Sequence, residues 1–134
     1  AWNAVAKIEQ ADELGDRSIV KCVVSRSNRV LFCSRDFSIL PLAAGGFEPV
    51  RRILGILGYH RDFLRRYGAM ARTPLELAES IDQSRVVEHD VPLYGVDFVK
   101  GYPGVNEPRE LDLVERYLDE DPLQRATLAE ALRQ

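Results

Sequence analysis

Three polar side chains stand close together in TPLELAESIDQSRVV (73–87): Glu79, Asp82 and Gln83. On a helix, spacings of three and four put such residues on neighbouring surface. Carboxylates and amides exchange hydrogen bonds with hydroxyls, so the cluster has the chemistry to grip a polyhydroxylated ligand. A solvated helix face has the same composition. Arg35 is a second candidate, in SRD (34–36) at the end of an apolar run. A guanidinium there can hold a carboxylate through two parallel hydrogen bonds, and open α/β sheets collect ligands at the C-terminal ends of strands. The alternative is a surface arginine leaving a sheet. Asn106 is a third, in GYPGVNEPRELDLVERYL (101–118). It stands where a helix cap belongs, and its amide oxygen has the chemistry to complete a Mg²⁺ shell of carboxylate, water and phosphate oxygens.

Other residues narrow the field. Arg51, Arg52, His60, Arg61, Arg65 and Arg66 can bind phosphate or line a subunit contact. They are spread over two elements with few aromatics between them. With a net charge of -3, the chain carries no field suited to a nucleic-acid backbone. His60 and His89 are isolated, with no second histidine, cysteine or serine at zinc or triad spacing. Cys22 and Cys33 carry no CxxC spacing and are expected on paired strands, inward, as reduced small hydrophobes of a cytoplasmic protein. No Walker loop, GxGxxG or GxSxG occurs, so no catalytic residue is assigned.

The elements that must position these groups alternate unevenly. SIVKCVV (18–24) and RVLFCS (29–34) are β-branched, apolar runs either side of the turn SRSN, a hairpin of buried strands. VRRILGILGYH (50–60) reads as a strand with close backbone approaches at its glycines. RDFLRRYGAM (61–70) is a short helix with Phe63, Leu64 and Tyr67 on one side. TPLELAESIDQSRVV is one helix, with Thr73 as cap, Pro74 in the first turn and Glu76 in a capping box. VPLYGVDFV (91–99) is a strand, residues 107–121 a helix, and an amphipathic helix closes the chain. This pattern predicts α/β with a mixed sheet. At 134 residues the chain has the size of a single domain, and 46% hydrophobic with 29% charged residues is a soluble, globular balance. No apolar run nears the roughly 18 residues of a membrane span, and AWNAVAKIEQ lacks the basic head and apolar middle of a signal peptide.

Taken in order, four stretches resemble the C-terminal half of the CMP-KDO synthetases (3-deoxy-manno-octulosonate cytidylyltransferases), within the sugar nucleotidyltransferases. SIVKCVVSRSNRVLFCSRDFSILP is similar to the family's NAVKVV…ALYFSRxxIP hairpin, and LGILGYHRDFLRRY to LGIYGYRxxFLxxY. TPLELAESIDQSRVV resembles SPLExxExLEQLRxL, and GVNEPRELDLVERYL resembles GVDTPEDLExVxxxL. The resemblance implies a partial Rossmann-like, GT-A-like fold with a mixed sheet, lacking the N-terminal nucleotide-binding half. It implies that Arg35 contacts an acid sugar, that Asp82 and Gln83 contact its hydroxyls, and that Asn106 takes the place of a Mg²⁺-binding Asp. The segment from about 37 to 70 would build a homodimer contact. The implied reaction makes a CMP-activated acid sugar from CTP, with release of pyrophosphate, for bacterial surface polysaccharide. Leu57 and Ile53 replace a Tyr and a His on the sugar side. The family's triphosphate loop R-x-x-S-x-R-L-P-G-K and its Q-G-D-E-P strand end do not occur in these residues. The chain by itself is therefore expected to be inactive, with a non-catalytic binding or assembly module as the alternative.

Overall fold

The computed structural model describes residues 1–39, 47–99, 101, 104–105 and 108–133. They form two compact units, Ala1–Gly101 and Tyr102–Gln134. The first contains a five-stranded sheet: β1 (Trp2–Lys7), β2 (Lys21–Val24), β3 (Val30–Ser34), β4 (Val50–Gly58) and β5 (Tyr94–Asp97). Their order across the sheet is β3-β2-β4-β1-β5. Only the β1–β5 pair is parallel, so the sheet is mixed, as predicted. An isolated bridge from Arg29 to Tyr94 ties the β2–β3 turn to β5, bringing the two edges of the sheet together at that end.

The β2–β3 hairpin follows from its sequence. Two β-branched runs flank Ser25–Asn28, and Asn28 takes the left-handed conformation (φ 58) that asparagine tolerates better than most residues. Cys22 and Cys33 are direct partners in the register, both buried and both free, and burial drives each thiol's pKa upward. The strands are shorter than the apolar runs. β3 is not buried on both sides, because Leu31 and Phe32 face solvent. No strand is predicted from WNAVAK, yet β1 lies between β4 and β5 with Asn3–Ala6 buried.

The core divides by face. Val5, Cys22, Val24, Val30 and Cys33 pack with Phe63, Ile81, Val86 and Leu93. Ile8, Leu14, Phe37 and Val50 form a second cluster, on which Val23 packs. Adjacent residues Cys22 and Val23 thus serve different clusters, as strand alternation requires.

Helix α1 (Arg61–Tyr67) buries Phe63 and leaves Leu64 half exposed. The helix predicted over 73–87 is two helices, α2 (Pro74–Glu79) and α3 (Gln83–Glu88). They part at Ser80, which sits at φ 54, ψ 46, a left-handed conformation that no α-helix of L-residues continues through. Glu76 accepts the Thr73 N–H at 3.4 Å, as the capping-box pattern predicts. In the second unit, a short 3-10 turn over Pro108–Glu110 leads into α4 (Leu111–Glu120). Helix α5 (Pro122–Ala131) follows, capped by Asp121, whose Oδ1 accepts from the N–H groups of Leu123 and Gln124.

Candidate functional site

Arg35 directly follows the last residue of β3, and the α2–α3 junction lies against it. The Arg35 N–H donates to Glu79 Oε2 at 3.2 Å, and Ser34 Oγ donates to Glu79 Oε1 at 3.4 Å. The Arg35 side chain answers in the other direction: Nε donates to the Glu79 carbonyl at 3.0 Å and Nη1 to the Arg17 carbonyl at 2.9 Å. The guanidinium is therefore held by neutral carbonyls, and among the described residues it makes no ion pair. A half-buried arginine fixed in this way keeps its charge and part of its donor fork for an anion.

The break at Ser80 separates Glu79, Asp82 and Gln83, which do not share one helix face. Glu79 turns to β3 as described. Asp82 is exposed, and its carbonyl accepts the Tyr67 hydroxyl at 3.2 Å. Gln83 is buried, and its Nε2 donates to Asn3 Oδ1 at 3.0 Å. Asn3, fully enclosed on β1, donates in turn to the carbonyls of Ala4 and Leu54 at 2.7 and 3.0 Å. Thus Arg35, Glu79 and Asp82 border the same junction, while Gln83 anchors α3 to the central strands. Ile53 is half-buried against the main cluster, and Leu57 opposes Asn3 in the register.

The junction is braced from behind. Glu76 of α2 accepts from Nε of Arg85, on α3, at 2.7 Å, and from Arg72 Nε at 3.1 Å. The Arg85 hydrogen bond, with help from Arg72 and the Thr73 N–H, draws the Glu76 pKa down to about 2. The Arg85 guanidinium lies 4.6 Å over the Tyr67 ring, which stacks on Tyr59 at 5.6 Å. Burial raises both phenols, Tyr59 to about 12, so both are neutral donors at physiological pH. Away from the site, an open groove of about 540 Å³ lies at the other end of β2. Its Arg51 is committed to Asp97 at 3.1 Å and Glu48 at 3.7 Å.

Two residues of the site carry no signal that the sequence reading uses. Lys21 sits inside an apolar run and Asn3 inside WNAVAK; both side chains are fully enclosed. A polar residue interrupting a buried strand is the one available hint, since burying such a group requires specific partners. Asn106 lies outside the described residues. Among those described, no group of three or more His, Cys, Asp or Glu is placed to hold a metal ion.

No family model matches the chain. It is 31% identical over 112 residues to the 3-deoxy-manno-octulosonate cytidylyltransferase of Chlorobium limicola, a match covering 82% of this chain and 44% of that protein. The protein of the same name from Leptothrix cholodnii is 32% identical over 125 residues, covering 85% of this chain and 45% of the relative. The chain thus spans less than half the length of these curated relatives. Among solved structures it superposes on a CMP:2-keto-3-deoxy-manno-octonic acid synthetase complexed with CTP. The TM-score is 0.77 and the identity 27%, over 90% of this chain and 49% of that one. By sequence and by fold, the chain belongs to the 3-deoxy-manno-octulosonate cytidylyltransferase family, of which it represents the C-terminal part.

Proposed function

We propose that this chain is the acid-sugar-binding part of a cytidylyltransferase that makes a CMP-activated acid sugar from CTP. The observation that carries the reading is Arg35, a guanidinium at a strand's end held, among the described residues, by the carbonyls of Glu79 and Arg17 and by no carboxylate. An anionic sugar gives that charge a partner, and the planar fork suits a carboxylate. The exposed Asp82 carboxylate, on the same junction, can accept from sugar hydroxyls. Gln83 contributes by fixing α3 through Asn3. The names of the relatives, and the CTP in the similar solved structure, support CTP as the second substrate.

In the reaction, a sugar hydroxyl attacks the α-phosphorus of CTP. A new P–O bond forms, the bond to the bridging oxygen breaks, and pyrophosphate leaves while the hydroxyl proton passes to solvent or base. This chain's contribution is orientation: Arg35 would hold the carboxylate so that the attacking hydroxyl points in a fixed direction. Mg²⁺ when bound neutralises phosphate charge. Asn106, in the place of the family's Mg²⁺-binding Asp, would be this chain's link to that ion. The reading extends to a homodimer through about residues 37–70, supported by the exposed apolar side chains of Ile39, Ile56 and Leu64 in that segment.

The test is a calorimetric titration of the chain with 3-deoxy-manno-octulosonate, with a neutral hexose as control. Arg35→Ala is expected to weaken binding of the acid sugar by about tenfold or more, the scale of a charge-assisted hydrogen bond. Equal affinity for the neutral sugar, or an unchanged affinity in Arg35→Ala, would overturn the assignment.

A further inference from the structure

Lys21 is the least expected side chain in the molecule, a lysine on β2 with no exposed surface. Its ammonium donates to two backbone carbonyls, that of Asp16 at 2.7 Å and that of Arg35 at 2.5 Å. The next carbonyl along the loop, that of Arg17, accepts Nη1 of Arg35. The loop is shaped by Asp16, whose Oδ1 accepts from both the N–H and the hydroxyl of Ser18, at 2.9 and 2.8 Å. One loop therefore offers consecutive carbonyls to two cations. The buried cation also grips the backbone from which the other extends.

An ammonium withdrawn from water and bonded, among the described residues, to carbonyls and no carboxylate carries a large desolvation cost. Desolvation accordingly lowers the Lys21 pKa, opposed by the nearby Asp16 and Asp36 carboxylates. An apolar residue would fill the same strand position at no such cost. What the lysine adds is directional: it is the common partner of the Arg35 carbonyl and the Asp16 carbonyl, a hold on the backbone of Arg35 beyond the bonds its own N–H groups make. Glu79 holds Arg35 from the helix side, through its carboxylate and its carbonyl. Lys21 holds it from the sheet side.

We propose that Lys21 is a positioning residue for acid-sugar binding, which clamps the 16–17 loop to the backbone of Arg35 and so fixes the direction of the Arg35 guanidinium. The proposal rests on the acid-sugar reading of Arg35 for its functional consequence, and on the hydrogen bonds above for its geometry.

The two parts are separated by two readouts on the 134-residue chain: affinity for 3-deoxy-manno-octulosonate, and the NMR signal of the Arg35 Nε–H with its rate of exchange with solvent. Lys21→Met keeps the stem and removes the ammonium. It is expected to weaken binding by about tenfold, to shift the Arg35 Nε–H signal and to speed its exchange, with the amides of Val5 and Val86 still protected. Lys21→Arg keeps charge and donors and is expected to stay within about threefold of the parent. Asp16→Ala loosens the loop without touching a buried side chain and is expected to act in the direction of Lys21→Met, by about threefold. It decides the matter if Lys21→Met does not fold. The proposal is overturned if these variants leave the Arg35 Nε–H unchanged, or if they release it and the affinity does not fall. A parent chain that binds no acid sugar, but whose Arg35 Nε–H is released by Lys21→Met, removes the functional reading and keeps the clamp.

Discussion

Glu76 is almost fully enclosed, yet it faces Arg85 and Arg72 and takes the N–H that opens α2. Its carboxyl titrates near 2 in the folded chain, against an ordinary value of 4.5. A pKa lowered by folding means that the unfolded chain binds the proton more readily. The stabilisation is therefore complete above the ordinary value and is lost as pH falls from about 4.5 towards 2. Urea unfolding followed from neutral pH into that window should show the midpoint falling steeply. Glu76→Gln should be less stable at neutral pH and should flatten this part of the profile, because a neutral amide has no proton to gain. A profile as steep as the parent's would place the acid sensitivity elsewhere. Glu76 matters to the site because it joins α2 to α3 across the break that places Glu79 beside Arg35.

That break is an element-scale feature, and it explains both a success and a failure of sequence reading. The spacing of Leu75, Ala78, Ile81 and Arg85 continues smoothly through Ser80, so periodicity alone predicts one helix. Nothing in a serine announces left-handed backbone; a glycine would have. Ser80→Gly removes the steric cost of that conformation at an exposed position and should stabilise the chain by roughly 0.5–1 kcal/mol, read as a raised unfolding midpoint. A loss of stability would mean that the serine side chain holds the junction. The same contrast runs through the sheet. The β2–β3 hairpin was legible because β-branched runs bracket a polar turn, and with it the position of Arg35 at the end of a strand. Strand β1 was not: alanines have little strand preference of their own, and WNAVAK is a strand because β4 and β5 flank it. Lys21 and Asn3 were hidden for a related reason. Their meaning lies in partners distant in sequence, such as Arg35 and Gln83, which no local pattern reveals.

At the scale of the whole molecule, binding and catalysis come apart. The residues that orient an acid sugar in the proposed reading all belong to the unit Ala1–Gly101. Nucleotidyl transfer also needs a cradle for a triphosphate, usually built from successive backbone N–H groups in a glycine-rich turn, with cationic side chains. These 134 residues contain neither the R-x-x-S-x-R-L-P-G-K loop nor the Q-G-D-E-P segment, and they correspond to 39–46% of the length of the family members they match. The isolated polypeptide should therefore bind acid sugar without turning over CTP. Mixed with CTP, Mg²⁺ and 3-deoxy-manno-octulosonate, it should release pyrophosphate no faster than buffer in a coupled phosphate assay. Release above that background, abolished by Arg35→Ala, would mean that these residues assemble a nucleotide site of their own. If instead the chain is inactive alone and turnover appears when a polypeptide carrying the triphosphate loop is added, Arg35 and its clamp act on a reaction whose phosphate chemistry is supplied from outside this sequence.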